Sequence, residues 1–240
     1  MKSNTCLSFA TFAPWRLCAQ TCLLIATVLV SITSAADNEL SAEEQADGWV
    51  LLFNGRDLGG WKNNDGKPVA AKIEEGAINV HNTGGYLLVY DQPFGDFVFK
   101  CEVKMSPAEC NSGVFVRTGD LADPINTALE VQVYDGPLPG RQDFGAIYDL
   151  VAPTKDATKG AGEWNALEIR CEGPTVSVKV NGEEVSTINC DDYDKPGLRT
   201  DGTPHKFTGK AIKDFPRSGY IGLQDHGHDV WYKNVKLKQL

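Results

Sequence analysis

Short runs of alternating apolar and polar residues, separated by Gly, Pro and Asn, fill the chain from Trp49 to its end. Alternation with a period of two places successive side chains on opposite faces of an extended strand, so these runs predict half-buried β-strands. Between two of them, Asn181-Gly182 is typical of a tight type I′ hairpin turn. Because no helical periodicity intervenes, the pattern predicts an all-β fold, an antiparallel sandwich or jelly roll. The candidate strands are Trp49–Phe53, Ala77–His81, Tyr86–Val89, Asp96–Met105, Gly113–Arg117, Leu129–Tyr134, Ala146–Leu150, Ala166–Cys171, Val176–Val180, Glu184–Ile188, Gly219–Gln224 and Val230–Leu237.

The pattern predicts a single domain over residues 48–240, with no internal repeat and no composition boundary inside it. The polar stretch 189–214 has no clear period. We expect an ordered rim loop there, because the strand pattern resumes after it. Residues 37–47 form an acidic lead-in, in which Ser41 and Glu44 have the spacing of a helix capping box.

The first 36 residues differ in composition from the rest of the chain. They contain Lys2 and Arg16 but no acidic residue, then an apolar run over 22–32, and finally Ser34-Ala35-Ala36. This order is typical of a secretory signal peptide, and the apolar run is too short to span a bilayer. We therefore expect residues 1–36 to be removed and the product to be exported to the periplasm or the medium, with no membrane attachment. A buried N-terminal helix is the alternative.

Four of the seven cysteines follow the predicted signal peptide. An even number in an exported chain permits two disulfides, with three ways of pairing them. Two of the four alternate with apolar residues along candidate strands, so buried free thiols are the alternative. The four cysteines are Cys101, Cys110, Cys171 and Cys190.

The charge of the chain argues against a nucleic-acid partner. Its formal net charge is −9, from 23 basic and 32 acidic residues. Proteins bind phosphate backbones through clustered Lys and Arg, and the sequence has no such cluster. It also lacks a P-loop, a dinucleotide-binding fingerprint and a GxSxG nucleophile motif.

Three candidate strands place polar side chains on the face opposite their apolar residues. In one of them the valines predict the core face, which puts Glu130 and Gln132 on the outer face. The same alternation puts Arg117 outward on a second strand, and Gln224, followed by His226, outward on a third. These side chains would then meet on one polar face, a candidate groove. An ordinary solvated face with a surface Glu–Arg ion pair is the alternative.

Other candidate sites are weaker. His226-Gly227-His228-Asp229 could offer two imidazoles on one strand face, but no third ligand has a telling spacing. We therefore predict no cofactor, while a divalent metal stays open. The acidic run 191–194 could hold Ca²⁺, although a solvated loop explains it better. Trp61 and Trp164 are candidate sugar-stacking platforms, with burial in the core as the alternative.

Several blocks of residues form an ordered set along the chain. They are WVLLFNGRDL at 49–58 with Trp61, NSGVFVR at 111–117, EVQV at 130–133, GAIY at 145–148, Ala152-Pro153, GEWN at 162–165, VNG at 180–182, GLQDHG at 222–227 and WYKNV at 231–235. In this order they resemble the exported 3-keto-disaccharide hydrolase family, also described as 3-keto-α-glucoside-1,2-lyase/3-keto-2-hydroxy-glucal hydratase domains. The resemblance covers nearly all of residues 48–240.

The resemblance implies a concanavalin-A-like jelly-roll sandwich of two antiparallel sheets and a carbohydrate substrate. The segment 130–135 is also similar to the ExDxxE strand of retaining β-glucanases on that fold, with Gln132 and Asp135 at the second and third acidic positions. A retaining mechanism needs two carboxyl groups about 5–5.5 Å apart. Strict alternation puts Asp135 on the opposite face from Glu130 unless a bulge intervenes. Direct hydrolysis by a retaining endo-glucanase is therefore disfavoured.

A 3-keto sugar offers another route, because its ketone acidifies the hydrogen at C2. A base can then remove that proton, the C1 substituent departs, and water adds back. Our hypothesis is that Glu130 and His226 are the base and the acid, in either order. Arg117 and Gln132 would supply charge and hydrogen bonds to the enolate or the sugar hydroxyls. Further substrate-binding candidates in the groove are Asn111, Tyr148 and Gln224.

The hypothesis implies two partners. One is an oligosaccharide or glycoside substrate, and the other is an upstream sugar 3-oxidoreductase that makes the ketone. A non-catalytic glycan-binding module on the same fold is the alternative, since it would use the groove without needing a base.

Overall fold

A computed structural model of the chain describes Met1 and residues 36–107, 109–136 and 140–240. Apart from its two end residues, the predicted signal peptide lies outside the described residues. From residue 36 onward the described chain forms one compact unit. Within the described residues, no helix is long and apolar enough to cross a membrane.

The described residues build two antiparallel sheets, of eight and five strands. The larger sheet consists of β1 (Trp49–Leu51), β3 (Lys72–Glu74), β4 (Ala77–Asn79), β6 (Phe97–Met105), β9 (Asn165–Glu172), β10 (Thr175–Val180), β11 (Glu183–Asn189) and β13 (Val230–Gln239). The smaller sheet consists of β2 (Trp61–Asn63), β5 (Leu87–Tyr90), β7 (Cys110–Thr118), β8 (Leu129–Asp135) and β12 (Tyr220–Gln224). The predicted all-β jelly-roll sandwich of two antiparallel sheets is confirmed.

Spatial order differs from chain order in both sheets. The larger sheet runs β11-β10-β9-β6-β13-β4-β3, with β1 also paired to β13. The smaller sheet runs β2-β5-β12-β7-β8. Strands from the first and second halves of the chain are therefore neighbours in each sheet. The main hydrophobic core lies between the two sheets.

Two short α-helices accompany the sheets, α1 (Ala42–Ala46) and α2 (Pro124–Thr127). At the start of α1, the Ser41 hydroxyl accepts the Glu44 amide and the Glu44 carboxylate accepts the Ser41 amide, both at 3.1 Å. This is the capping box that the spacing predicts, and it satisfies amides that a helix start leaves free.

Most strands lie where the alternation predicts them, and the exceptions have local causes. β2 and β3 were not predicted, because each has three residues and too few to show a period. The predicted strand Ala146–Leu150 is wrong. That segment is a turn in which Ile147 bridges Val131 of β8 and also pairs with Val151.

The turn between β10 and β11 follows from its residues. Asn181 and Gly182 both have positive φ, 50° and 85°. A type I′ turn requires this backbone at both central positions, and Asn and Gly adopt it at the lowest cost. The hairpin therefore has the predicted two-residue connection.

All four described cysteines are buried free thiols. They are Cys101, Cys110, Cys171 and Cys190. Burial raises the pKa of each thiol above its ordinary value, because the apolar surroundings disfavour the thiolate. The sequence allowed either two disulfides or buried free thiols, and the structure shows the free thiols.

The outer face of the smaller sheet is partly covered, which distinguishes it from a solvated face. Leu87, Val89 and Phe115 are fully buried there, and they pack with Ala128 and Leu121 from the segment that connects β7 to β8. Next to this apolar cluster the same face carries polar side chains, and these form the candidate site.

Candidate functional site

Glu130 is the centre of the polar part of this face. It lies in β8 opposite Phe115 of β7, and it is 5% exposed. Its side chain extends over Gly113, which faces Gln132 in the same strand pair. A Cβ atom on Gly113 would lie 2.5 Å from Glu130 Oε1, so the carboxylate occupies space that only a glycine leaves open.

The surroundings of Glu130 raise the pKa of its carboxyl group toward neutral pH. Burial raises the pKa of Glu130 from 4.5 to about 7, while Lys206 and a hydrogen bond from Gln224 act in the opposite direction. Desolvation is the largest cause, because a carboxylate loses its water on this covered face. A carboxyl group that titrates near neutral pH is matched to proton transfer as a general base.

Lys206 is the charged partner of Glu130. Its Nζ lies 3.9 Å from Glu130 Oε2 and 4.5 Å from the centre of the Tyr148 ring. Burial lowers the pKa of Lys206, and Glu130 opposes that shift. Lys206 was not among the predicted site residues, because it lies in the polar stretch 189–214, where no period links it to β8. A long ordered loop beside a groove was the signal available, since such loops often carry functional side chains.

Asp149 holds the Lys206 loop in place. Its Oδ2 accepts the backbone N–H of Lys206 at 2.7 Å, and its Oδ1 accepts Arg199 Nη2 at 2.5 Å. Arg199 Nε also donates to the Asp149 carbonyl oxygen at 2.9 Å. One carboxylate therefore ties two points of the loop to the segment that follows β8. This fixes the lysine backbone beside Glu130.

Gln224 and Tyr86 form the opposite side of the site. Gln224 Nε2 donates to the Tyr86 hydroxyl at 2.6 Å. Burial, with a contribution from Glu130, raises the pKa of Tyr86 to about 12, so this phenol stays protonated at neutral pH. Tyr86 begins one of the predicted strands but was not among the predicted site residues. Its position beside Gln224 depends on the pairing of β5 with β12.

Two buried amide oxygens at the site lack partners among the described residues. They are the Oε1 atoms of Gln132 and Gln224, whose residues are each 2% exposed. Gln132 uses its Nε2 to donate to Asn111 Oδ1 at 3.2 Å. Buried acceptors without a partner are rare and cost free energy. Acceptors of this kind suit the hydroxyl groups of a bound sugar.

Tyr148 lies next to Glu130 beyond the edge of β8. Its backbone N–H donates to the Glu130 carbonyl oxygen at 2.8 Å, and its hydroxyl accepts Gln142 Nε2 at 3.4 Å. Burial and the nearby Glu130 raise the pKa of Tyr148, which keeps its phenol protonated. The structure therefore brings together five of the predicted residues, Glu130, Gln132, Asn111, Tyr148 and Gln224.

Comparisons with known proteins show the family of the chain. The sequence model of a family described as 3-keto-alpha-glucoside-1,2-lyase-like domain matches residues 48–238. The chain belongs to this family. A 3-keto-disaccharide hydrolase of Bacteroides thetaiotaomicron is 28% identical over 249 residues, covering 88% of this chain and 84% of that protein. This member of the 3-keto-glucoside lyase-like family is a carbohydrate-acting enzyme of the hydrolase or lyase type.

Solved structures with similar folds come from Parabacteroides distasonis ATCC 8503. One candidate glycosyl hydrolase from that organism is 28% identical and has a TM-score of 0.70, covering 85% of this chain and 100% of its own. A second is 25% identical with a TM-score of 0.70, covering 80% and 99% of the two chains.

In this family member, Arg117 lies elsewhere than predicted. Its φ of 51° is left-handed, which interrupts the alternation of β7 at a bulge. The side chain is 4% exposed and donates to the carbonyl oxygens of Gly95 and Gly173 and, at 2.6 Å, to Asp96 Oδ1. These partners belong to turns of the larger sheet. The prediction that Arg117 projects outward beside Glu130 is therefore wrong.

His226 lies beyond the end of β12, which ends at Gln224, and it is exposed. Among the described residues, neither a hydrogen bond nor an ion pair connects it to Glu130. Asp225, which follows the last residue of β12, accepts the backbone N–H groups of Thr83 and Gly227. A catalytic role for His226, as base or as acid, stays a prediction, while Lys206 forms an ion pair with Glu130 at 3.9 Å.

The other candidates of the sequence resolve in different ways. Asp229 pairs with His81 at 3.1 Å, and within the described ranges no three His, Cys, Asp or Glu side chains converge as metal ligands. Asp191 pairs with Arg217 at 2.6 Å. Trp61 is buried in the core, where its indole N–H donates to a backbone carbonyl at 2.8 Å.

Asp135 lies on the opposite face of β8 from Glu130, as the alternation predicts. β7 and β8 pair without a register shift, and Asp135 lies opposite Cys110, whose side chain is buried in the core. Glu130 faces the other way, opposite Phe115 of the outer cluster. Asp135 therefore cannot serve as the second carboxyl group of a retaining pair with Glu130.

Proposed function

We propose that the protein cleaves 3-keto-glycosides by elimination followed by hydration, with Glu130 as the general base. The observation that carries this proposal is the buried Glu130 carboxyl group. Its pKa is about 7, and it lies beside the Lys206 ammonium group. Abstraction of a proton next to a ketone needs a base of this strength and a positive charge for the enolate oxygen.

The first step removes the proton at C2 of the sugar. Glu130 takes this proton, and the C–H electron pair moves into the C2–C3 bond while the C3 ketone becomes an enolate. Lys206 would stabilise the negative oxygen, because a fixed ammonium in a covered site acts with little dielectric screening. Tyr86 and Gln224 lie on the side of the site away from Lys206, where they would orient the sugar.

The second step expels the substituent at C1. As the enolate reforms the ketone, the C1–O bond breaks and the leaving oxygen takes a proton, giving a 3-keto-2-hydroxy-glycal and an alcohol. The Tyr148 phenol, which lies beside Glu130 and stays protonated, is the donor that we assign to this oxygen. Water then adds at C1 and gives its extra proton to the Tyr148 phenolate, while Glu130, after its proton has exchanged with solvent, protonates C2 and becomes a carboxylate again. The net reaction is hydrolysis.

The substrate must arrive already oxidised at C3. An upstream sugar 3-oxidoreductase is therefore the functional partner in this proposal. We also propose export with removal of residues 1–36, on the composition of that segment. Sequencing the N-terminus of protein recovered from the periplasm or medium tests this part, and a start at Met1 would contradict it.

The test of the reaction uses a chromogenic 3-keto-glucoside beside the unoxidised glucoside. We expect release from the keto substrate, loss of at least 10³-fold in Glu130→Gln, and little change in the exposed control Glu184→Gln. Incubation in D₂O should place deuterium at C2 of unreacted substrate or product in the wild type. A chelator arm shows whether a divalent metal assists.

Two outcomes would contradict the proposal. Equal release from both glucosides would mean that the ketone is not required, and release without deuterium at C2 would mean that no proton leaves C2. Binding of sugar without turnover of either substrate would instead favour the non-catalytic glycan-binding module.

A further inference from the structure

A cleft on the larger sheet, opposite the sheet that carries Glu130, combines two tryptophans with charged side chains. It encloses about 560 Å³, within the range of about 300–1,000 Å³ in which small-molecule sites fall. Its lining includes Trp164, Trp231, Lys104, Lys233, Glu74 and Asp37. We call this feature the tryptophan cleft.

The two indole rings are held in defined positions. Trp231 lies in β13 opposite Lys104 of β6, and Trp164 directly precedes β9. Lys104 Nζ lies 4.9 Å from the centre of one Trp231 ring and 5.0 Å from that of Trp164, so the two side chains flank one ammonium. The Trp231 indole N–H donates to Glu74 Oε2 at 2.7 Å, which fixes the orientation of the ring.

The charges of the cleft nearly cancel. It is lined by three acidic and two basic side chains, and Lys233 pairs with Asp37 at 2.7 Å. A cleft with this balance does not attract an ion of either sign strongly. It does offer many hydrogen-bond donors and acceptors beside two partly exposed aromatic rings.

We propose that the tryptophan cleft is a second saccharide-binding site, which takes a neutral oligosaccharide chain. Sugar rings present apolar C–H faces that pack on indole, and hydroxyl groups that pair with carboxylates and ammonium groups. Such a site would hold a longer glycan on one sheet while the groove on the other sheet acts on a chain end. It requires neither a ketone nor Glu130.

Trp49 provides a matched control on the same sheet. It lies in β1, its indole N–H donates to Asp47, and Lys100 Nζ lies 4.7 Å from its ring centre. It therefore has the same kind of lysine contact and acidic partner as Trp231, but it does not line the cleft.

The experiment measures binding of unoxidised glucohexaoses with α-1,4, β-1,4 and β-1,3 linkages to the full exported chain by calorimetry. We expect at least one hexaose to bind, and Trp164→Ala and Trp231→Ala each to weaken its Kd about tenfold or more. Trp49→Ala should leave this Kd within about twofold, since only side chains in the cleft contribute. Turnover of a small 3-keto-glucoside should not change in any of the three variants.

The proposal is overturned if none of the three hexaoses binds, or if Trp49→Ala weakens binding as much as the cleft variants do. It is also overturned if Gln132→Ala abolishes binding while Trp164→Ala does not, because the sugar would then occupy the catalytic groove. Should Trp231→Ala fail to fold after losing its bond to Glu74, Trp164→Ala decides the question alone. Failure of the cleavage reaction would show in the turnover assay and leaves this binding result unaffected.

Discussion

The carboxylate of Glu130 extends across Gly113 on the neighbouring strand, so that a Cβ atom on Gly113 would lie 2.5 Å from Oε1 and 2.9 Å from Cγ. Gly113 lies within β7 and has no positive φ, so its backbone does not require glycine. The missing side chain is what the site uses. It allows a buried carboxylate to lie flat on the sheet between two strands.

We expect Gly113→Ala to lower kcat of the keto-glucoside reaction about 100-fold, because a displacement of the base by about 1 Å has an effect of this size. The cost in stability should be about 1–3 kcal/mol, as for other overpacked sites. Gly209→Ala is the control, since a Cβ there meets nothing within 4 Å. Steady-state kinetics and denaturant unfolding measure both effects. Wild-type kcat in Gly113→Ala would show that the position of Glu130 is not critical.

Lys206→Met should change both the rate and its pH dependence. Removing a preorganised positive group that faces a developing oxyanion lowers kcat/KM by about 10²–10³-fold. Lys206 lowers the pKa of Glu130, so without it the base titrates higher and the acidic limb of the rate profile moves from about pH 7 to higher pH.

The exposed Lys210→Met, in the same loop, is the control for the lysine variant. The measurement is kcat/KM from pH 5 to 9 for both variants. A reduced rate with an unmoved acidic limb would mean that Lys206 acts on the substrate without sensing Glu130, or that another group sets the limb.

Alternation was enough to predict the strand that carries Glu130 and the face from which its side chain projects. The valines of β8 pack into the core, and this sends Glu130 and Gln132 to the other face. The same rule fails at Arg117, because one left-handed residue reverses the direction of its side chain. The alternation of apolar and polar residues does not predict this bulge.

The rest of the site depends on tertiary contacts. Lys206 reaches Glu130 because Asp149 binds its backbone N–H, a contact 57 residues distant in sequence. Tyr86 reaches Gln224 through a strand pairing 138 residues apart. Such contacts are fixed by how strands and loops assemble, and a local pattern contains no trace of them.

Glu130 should make the folded protein less stable as pH rises. Its pKa is 4.5 in an ordinary environment and about 7 in the fold, so folding favours the protonated form. Below about pH 4.5 the group is protonated in both states and has no effect. Above pH 7 the folded state contains a buried carboxylate, which costs about 3 kcal/mol relative to the unfolded chain.

Glu130→Gln removes this penalty, so its stability relative to the wild type should increase by up to about 3 kcal/mol between pH 4.5 and pH 8. Urea unfolding at several pH values measures the difference. Glu184→Gln, an exposed position, should show no such trend. A Glu130→Gln difference that does not vary with pH would place the pKa of Glu130 near its ordinary value and weaken its assignment as a base.

Arg117 is buried and the side chain of Arg199 is only 8% exposed, but the two arginines have different contacts. Arg117 joins two turns of the larger sheet, whereas Arg199 binds Asp149 and thereby holds the loop of Lys206. Arg117→Met should cost about 3 kcal/mol of unfolding free energy, because two carbonyls and Asp96 lose a charged donor. Its kcat, measured well below the melting transition, should remain near that of the wild type.

Arg199→Met should affect kcat more than it affects the free energy of unfolding. We expect its kcat to fall at least tenfold, with the acidic limb of the pH profile moved in the same direction as in Lys206→Met, since the lysine is no longer held beside Glu130. Kinetics across pH and thermal unfolding of the two variants separate these roles. A large loss of kcat in a folded Arg117→Met protein would return Arg117 to the catalytic groove, because a residue that only joins turns of the opposite sheet has no route to the reacting atoms other than through stability.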